Sequence, residues 1–190
     1  MALAPVKTRC RWVPVGNSLY EKYHDTEWGR PVRNDRTFFE FLVLESAQAG
    51  LSWETILKRR EDYRTAFAGF DPGEISRFGK REIDRLIKDG SIIRHRLKIE
   101  STVTNARIFL SLQEEFGSFS KYAWGFVGDK TKHRASKQTP VTSAEAKALA
   151  ADLKRRGVKF FGPVIAYAFM QATGLVDDHE PSCFRYQKKH

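Results

Sequence analysis

The chain has 190 residues, 41% of them hydrophobic and 29% charged, with four Trp, six Tyr and fourteen Phe, so it can bury a core and is neither disordered nor fibrous. A net charge of +10 favours a polyanionic partner, nucleic acid before membrane, over the alternative of a basic surface that serves solubility alone. No segment approaches the roughly 18 consecutive apolar residues of a membrane span, and residues 1–10 lack a signal-peptide core, so the expected location is cytoplasmic.

Periodicity is helical nearly throughout, and no alternating strand stands out. Asn34 or Asp35 is placed to cap a helix from about Thr37 to Ala49, closed by Gly50, and Ser52 to cap a second from Trp53 to about Arg60. Tyr63 to Phe70 is short and aromatic, and Asp71-Pro72-Gly73 reads as a turn. A helix over Lys80–Lys88, a break at Gly90-Ser91 and a long helix from about Arg94 to Glu115 follow, the last with Ile99, Val103, Ala106 and Leu110 on one face. Gly117 to Thr139 is the least regular stretch, and its part from Lys130 to Gln138 reads as an exposed basic loop. Thr142-Ser143-Ala144-Glu145 matches a capping box for a helix ending at Gly157, and Pro163 opens a final helix running to Gly174. The expected fold class is all-α, about seven helices in one domain spanning residues 1–190.

Four features carry candidate chemistry. Cys10 and His24 lie near one end and His179-x3-Cys183 near the other. Two Cys and two His complete a tetrahedral zinc set, but about 150 residues separate the halves, so any such ion ties the chain ends together rather than forming a local finger. Ordinary buried histidines and inert thiols are the alternative. Asp177 and Asp178 are placed either to orient His179 or to cap a short helix. Glu45 shares a helical stripe with Phe38, Phe41 and Leu42; a buried carboxylate there either pairs with an unseen Arg or Lys or serves a ligand. Trp12, Tyr20, Tyr23, Trp28 and Trp53 crowd the first 53 residues, as plain core or as flat faces that grip a flipped base. Finally, the run Ile83 to Ile99 reads as helix, tight hairpin, helix. Gly90 permits the turn, Ile92 and Ile93 anchor it, and the backbone at Gly90 and Ser91 with Arg94 and Arg96 is placed to hold a DNA phosphate. A plain helix connection with a solvated basic face is the other reading.

Cys10-Arg-Trp12, Tyr20-x-x-Tyr23-His24-Asp-x-Glu27-Trp28-Gly29, Leu44-Glu45-x-x-Gln48-Ala-Gly-Leu-Ser-Trp53 and Phe169-Met-Gln-Ala-x-Gly-Leu-Val-x-Asp178-His179 together resemble the 3-methyladenine DNA glycosylase I family, from about Arg9 to Cys183. The resemblance implies a bilobal helix-hairpin-helix fold, the hairpin unit spanning about residues 80–112, and one structural zinc per chain held by Cys10, His24, His179 and Cys183. It implies that Glu45 and Tyr23 are catalytic, that Trp12, Tyr20 and Trp53 bind the base, and that Gly90, Ser91, Arg94 and Arg96 meet DNA. The implied partners are double-stranded DNA containing 3-methyladenine and the free base as product, acted on by a monomer. The implied reaction is hydrolysis of the glycosidic bond of the flipped base, leaving an abasic site. A damaged-DNA binding module without catalysis, or a glycosylase for another alkylated base, are the other readings. Relatives usually carry Gly where this chain has Ser91, and the basic tail from Arg185 to His190 has no clear family counterpart.

Overall fold

The computed structural model describes residues 7–48, 50–133 and 140–187. Among these, helices are α1 (Ser18–Thr26), α2 (Asp35–Gln48), α3 (Trp53–Lys58), α4 (Arg60–Ala66), α5 (Pro72–Ser76), α6 (Lys80–Lys88), α7 (Arg96–Phe116), α8 (Phe119–Gly125), α9 (Ala144–Arg155) and α10 (Pro163–Ala172). A 3-10 turn, Ala68–Phe70, links α4 to α5. The fold is mostly helical, with one correction to the all-α reading: the two-residue strands β1 (Lys132–His133) and β2 (Val176–Asp177) pair in parallel. Each is too short to carry an alternating pattern, and the pairing joins residues over 40 positions apart.

Helix α2 runs through the core, and every residue from Phe38 to Ala47 is buried. Its first turn is capped by Asn34, whose Oδ1 accepts from the Thr37 N–H at 3.1 Å. Asp35 is thereby free to reach outward. Its carboxylate accepts from the Phe119 N–H at 2.9 Å and the Ser120 N–H at 2.8 Å, pinning the start of α8 against the start of α2. Helices α3, α7, α8 and α10 pack around α2. Ser52 and Ser143 cap α3 and α9 through their hydroxyls. The capping residue of α9 is Ser143 rather than Thr142, whose hydroxyl donates to the Pro163 carbonyl.

Four expectations are corrected. Asp71-Pro72-Gly73 does not merely turn; Asp71 caps α5 by accepting from Gly73 and Glu74, with Pro72 in the first helical turn. The stretch after Gly117 holds α8, started by Ser118. Helix α7 begins at Arg96, because His95 Nδ1 accepts from the Lys98 N–H and takes the cap position. Its buried face contains Phe109 and Leu112, with Leu110 only partly covered. The expected basic loop is described as far as His133 and the basic tail as far as Gln187; residues 134–139 and 188–190 lie outside the described residues, as do residues 1–6 and 49.

The chain ends meet. The Phe184 N–H donates to the Thr8 carbonyl at 2.8 Å, and the Glu180 N–H points at the Cys10 sulfur at 3.4 Å. Segment 29–32 lies beside the end of α10, with the Gly29 N–H on the Gln171 carbonyl and the Val32 N–H on the Thr173 carbonyl, both at 2.9 Å. Gly174 is obligatory for this approach: its φ is +68°, and a Cβ would stand 2.2 Å from the Arg30 carbonyl carbon. No helix among the described residues is long and apolar enough to cross a membrane.

Candidate active site

The α1–α2–α3 corner and α10 line an open cavity of about 320 Å³. Helix α1 contributes Tyr20 and Tyr23, and the segments flanking it contribute Trp12 and Trp28. Glu45 and Gln48, one turn apart on α2, form another wall with Trp53 at the start of α3. Ala168 and Gln171 close the side made by α10. Of the residues expected at a base site, Trp12, Tyr20, Tyr23, Glu45 and Trp53 are thus brought together around one cavity. Gln48 and Gln171 join them without having been expected. Both carried a signal: Gln48 lies one turn from Glu45 on the same face, and Gln171 is the lone amide in the otherwise apolar and aromatic α10.

The walls are edge-on and tilted aromatic contacts. Trp12 meets Trp28 at a centroid distance of 4.9 Å and Tyr20 at 6.0 Å, and Tyr23 meets Trp53 at 5.4 Å. Such a lining leaves ring faces for a flat, electron-poor guest. Three buried polar atoms on these walls have no hydrogen-bond partner: the indole Nε1 of Trp12, the indole Nε1 of Trp53 and Oε2 of Glu45. Each such atom costs about 1–3 kcal/mol when left dry and unpaired, and three of the seven among the described residues belong to these walls. Two indole donors and a carboxylate, carried by residues that line one cavity, are complementary polar groups for a ligand. Burial pushes the Glu45 carboxyl up to about 8. Burial also drives the Tyr23 hydroxyl well above its ordinary value, with the Glu45 charge adding to the shift, so Tyr23 is a neutral phenol.

Behind Trp12 stands the Cys/His cluster. The candidate ligand atoms of Cys10, His24 and Cys183 all lie within 4.8 Å of one another, and all three residues are buried. The ring of His179 is 5.1 Å from that of His24, and its buried Nε2 has no partner. Each imidazole is held by a carboxylate at Nδ1, His24 by Asp25 at 2.9 Å and His179 by Asp177 at 2.6 Å, which leaves both Nε2 atoms as the ligating ends. Burial lowers the His24 pKa against the opposing pull of Asp25, favouring the neutral, ligating form. Burial pushes the Cys10 thiol up to about 12, against the Glu180 N–H that supports its thiolate; a cation reverses that balance. The Arg185 N–H likewise points at the Cys183 sulfur at 3.4 Å. The three clustered donors suit a thiolate–imidazole metal ion, and the expected fourth, His179, lies outside that group of mutually close ligand atoms. Of the two acidic neighbours, Asp177 orients His179, whereas Asp178 accepts from Tyr167 and Gln171. Gly29 lets His179 in, since a Cβ there would stand 2.8 Å from its Cε1.

The predicted hairpin lies between α6 and α7. Ile92 is buried and Ile93 partly so, as expected of anchors. The turn itself is made differently. Gly90 does not adopt a left-handed φ, and a Cβ there would meet nothing within 4 Å. Asp89 supplies the bend, its Oδ1 accepting from the Ser91 N–H at 2.9 Å and the Ser91 hydroxyl at 2.5 Å. Arg59 clamps the turn from below through the Gly90 and Ser91 carbonyls. Arg94 is exposed, while Arg96 is held by Asp84 at 3.1 Å and Glu100 at 3.3 Å.

Comparison with known proteins settles the family. Residues 12–186 match the methyladenine glycosylase family model. The chain belongs to the methyladenine glycosylase family. It is 42% identical over 181 residues to a DNA-3-methyladenine glycosylase 1 of Escherichia coli, an alignment covering 94% of this chain and 96% of the relative. A crystal structure of 3-methyladenine DNA glycosylase I superposes with a TM-score of 0.91 at 43% identity, covering 95% of this chain and 100% of the other. Another, solved in complex with 3-methyladenine, superposes with a TM-score of 0.89 at 37% identity, over 93% of this chain and 96% of that one.

Proposed function

We propose that this methyladenine glycosylase hydrolyses the glycosidic bond of 3-methyladenine in alkylated double-stranded DNA by base flipping, releasing the free base and leaving an abasic site. The observation that carries this reading is the unpartnered, buried Glu45 oxygen in an aromatic cavity sized for one base. Adenine methylated at the 3-position is cationic and departs without protonation, so the pocket's work is to extract, orient and discriminate the base. Trp12, Tyr20 and Trp53 line the flipped base, and Glu45 accepts from its exocyclic amine. Entry of the cation favours the carboxylate and so displaces the proton that burial holds on Glu45. Tyr23, a neutral phenol beside Glu45, keeps that wall polar without adding charge, and the sugar's developing oxocarbenium is captured by water.

The wider reading is one glycosylase domain over residues 1–190, formed of two intimate helical lobes. Helices α6 and α7 with their connection, about residues 80–112, serve as the helix-hairpin-helix unit. Gly90, Ser91, Arg94 and Arg96 are its phosphate contacts, with Arg94 the freer of the two arginines. Cys10, His24, His179 and Cys183 hold one zinc, which is structural because four protein ligands leave no open position for water. Both cysteines are buried and free, which suits a cytoplasmic location, and the working unit is a monomer.

A single-turnover assay on methylated duplex DNA, with chromatography of the released bases, tests the activity. Release of 3-methyladenine is expected. Tight binding with the base retained would make the chain a damage-binding module, and release of a different base would move its substrate. Elemental analysis should find about one zinc per chain. Replacing Cys10 or Cys183 with Ala should lower metal content and melting temperature together. Metal-free native protein would remove zinc from the scheme.

A further inference from the structure

Helix α10 is apolar or aromatic at every side chain but one. Over Pro163–Ala172 the exception is Gln171, which lines the cavity one turn beyond Ala168. Its backbone is tied to the opposite wall, because the Gln171 carbonyl accepts from the Gly29 N–H beside Trp28. Its side chain is tied down at one end only. The amide nitrogen donates to Asp178 Oδ2 at 2.8 Å, and the same oxygen accepts from the Tyr167 hydroxyl at 2.5 Å.

This arrangement fixes which end of the amide is available. A carboxylate only accepts hydrogen bonds, so the nitrogen must face Asp178 and the oxygen must face away. The pocket therefore offers a second acceptor, Gln171 Oε1, on a helix that packs directly against α2, which carries Glu45. An exocyclic amine has two N–H groups. Glu45 satisfies one, and Gln171 has the chemistry to satisfy the other. A 6-oxo purine presents an acceptor at that position and meets two acceptors, which is repulsive at close range.

We infer that Gln171 is a specificity-determining residue that reads the second N–H of the base's exocyclic amine, and that Asp178 is a positioning residue that locks the Gln171 amide with its oxygen toward the pocket. The inference rests on the reading of the cavity as the base site. Asp178 acts through Gln171 and does not touch the base.

Titrations of the zinc-loaded full chain with two free bases, 3-methyladenine and its 6-oxo counterpart 3-methylhypoxanthine, test both roles. Gln171→Met keeps the length of the side chain and removes both polar atoms. It should weaken 3-methyladenine by about 3- to 10-fold, the worth of one neutral hydrogen bond, without weakening the oxo base, so that the ratio of affinities falls by the same factor. Asp178→Asn lets the amide turn over and present N–H, and should move the ratio further toward the oxo base than Gln171→Met does. A merely structural role lowers the melting temperature and both affinities together, leaving the ratio alone. An unchanged ratio in Gln171→Met overturns the assignment of Gln171, and an unchanged ratio in Asp178→Asn, at wild-type zinc content, overturns the positioning role. Glu45→Gln is the parallel control. If it weakens 3-methyladenine while Gln171→Met does not, this inference fails alone; if neither variant changes binding, the base site itself is misplaced.

Discussion

Helix α2 carries two buried glutamates little more than one turn apart, and they live in opposite circumstances. Glu40 is paired: Arg60 Nε reaches its Oε1 at 2.7 Å and Arg64 Nη2 at 2.8 Å, and Arg60 goes on to Glu27 at 2.6 Å. This network joins α4 to α2 and to the end of α1, and it is what a buried charge needs in order to be tolerated. Glu45 is buried as deeply and has no such partner for its Oε2. A residue type that reads identically in sequence is mortar at one end of the helix and an open valence at the other. The pairing expected for a buried glutamate exists in this protein, but it belongs to Glu40.

The largest effect should come from breaking the paired end. Glu40→Ala removes the shared acceptor of Arg60 and Arg64, leaves the mostly buried Arg60 with Glu27 alone and opens a gap in the core, and should cost about 3–5 kcal/mol of stability in denaturant titration. The surviving folded protein should bind 3-methyladenine as the wild type does. A stable variant with impaired base binding would dissolve the contrast between the two glutamates.

The unpaired end should behave in reverse. Glu45→Gln should weaken 3-methyladenine by about 1.5–3 kcal/mol, as expected for a hydrogen bond to a charged group. Its excision rate should fall more modestly, because the leaving group carries its own charge. Its stability should not drop at neutral pH. The folded-state pKa of Glu45, about 8, lies above its unfolded value of 4.5, so the wild type's stability is full below about 4.5 and declines as pH rises toward 8. The Gln variant lacks that decline, so its stability relative to wild type should climb between about pH 5 and 8. Melting curves over that range check the sign, and a gap that shrinks with rising pH would show that Glu45 has a partner after all.

The smallest effect repeats the same comparison at the hairpin. Arg96 is engaged by Asp84 and Glu100, and Arg94 is exposed without an ion pair among the described residues. Arg94→Ala should therefore reduce the salt dependence of DNA binding by about one unit of slope, the loss of one phosphate contact. Arg96→Ala should reduce it less. Equal losses would mean that the intramolecular pairs of Arg96 give way to DNA.

Much of this was legible because short-range chemistry marks it. Asn34, Ser52 and Ser143 announce helix starts, and α6 follows from its own residues without help from elsewhere. Helix α8 was not legible, because its seven residues are too few to display a period around the single local signal, the Ser118 cap, and its docking on Asp35 is made from a distance. Asp71-Pro72-Gly73 has the composition of a turn and of a helix start alike, and only tertiary packing of α5 on α7 decides between them. In the cavity, Glu45 stood out because a carboxylate is costly among apolar neighbours. Gln171 was the fainter signal, because a neutral amide costs less to bury than a carboxylate and its lone place in α10 names no role until its tether to Asp178 is seen.

Trp12 is a pocket wall, yet it rests edge-on against His24 at 5.4 Å and Trp28 at 4.9 Å, and both of those rings lean on His179. During translation the aromatic residues of α1 to α3 are all synthesised more than 120 residues before His179, the buttress behind them. A nascent chain stalled before residue 179 already has the rings that touch Trp12 but lacks the imidazole on which two of them lean. Pulsed proteolysis of stalled chains should find the segment around Trp12 open to cleavage until Cys183 has cleared the tunnel.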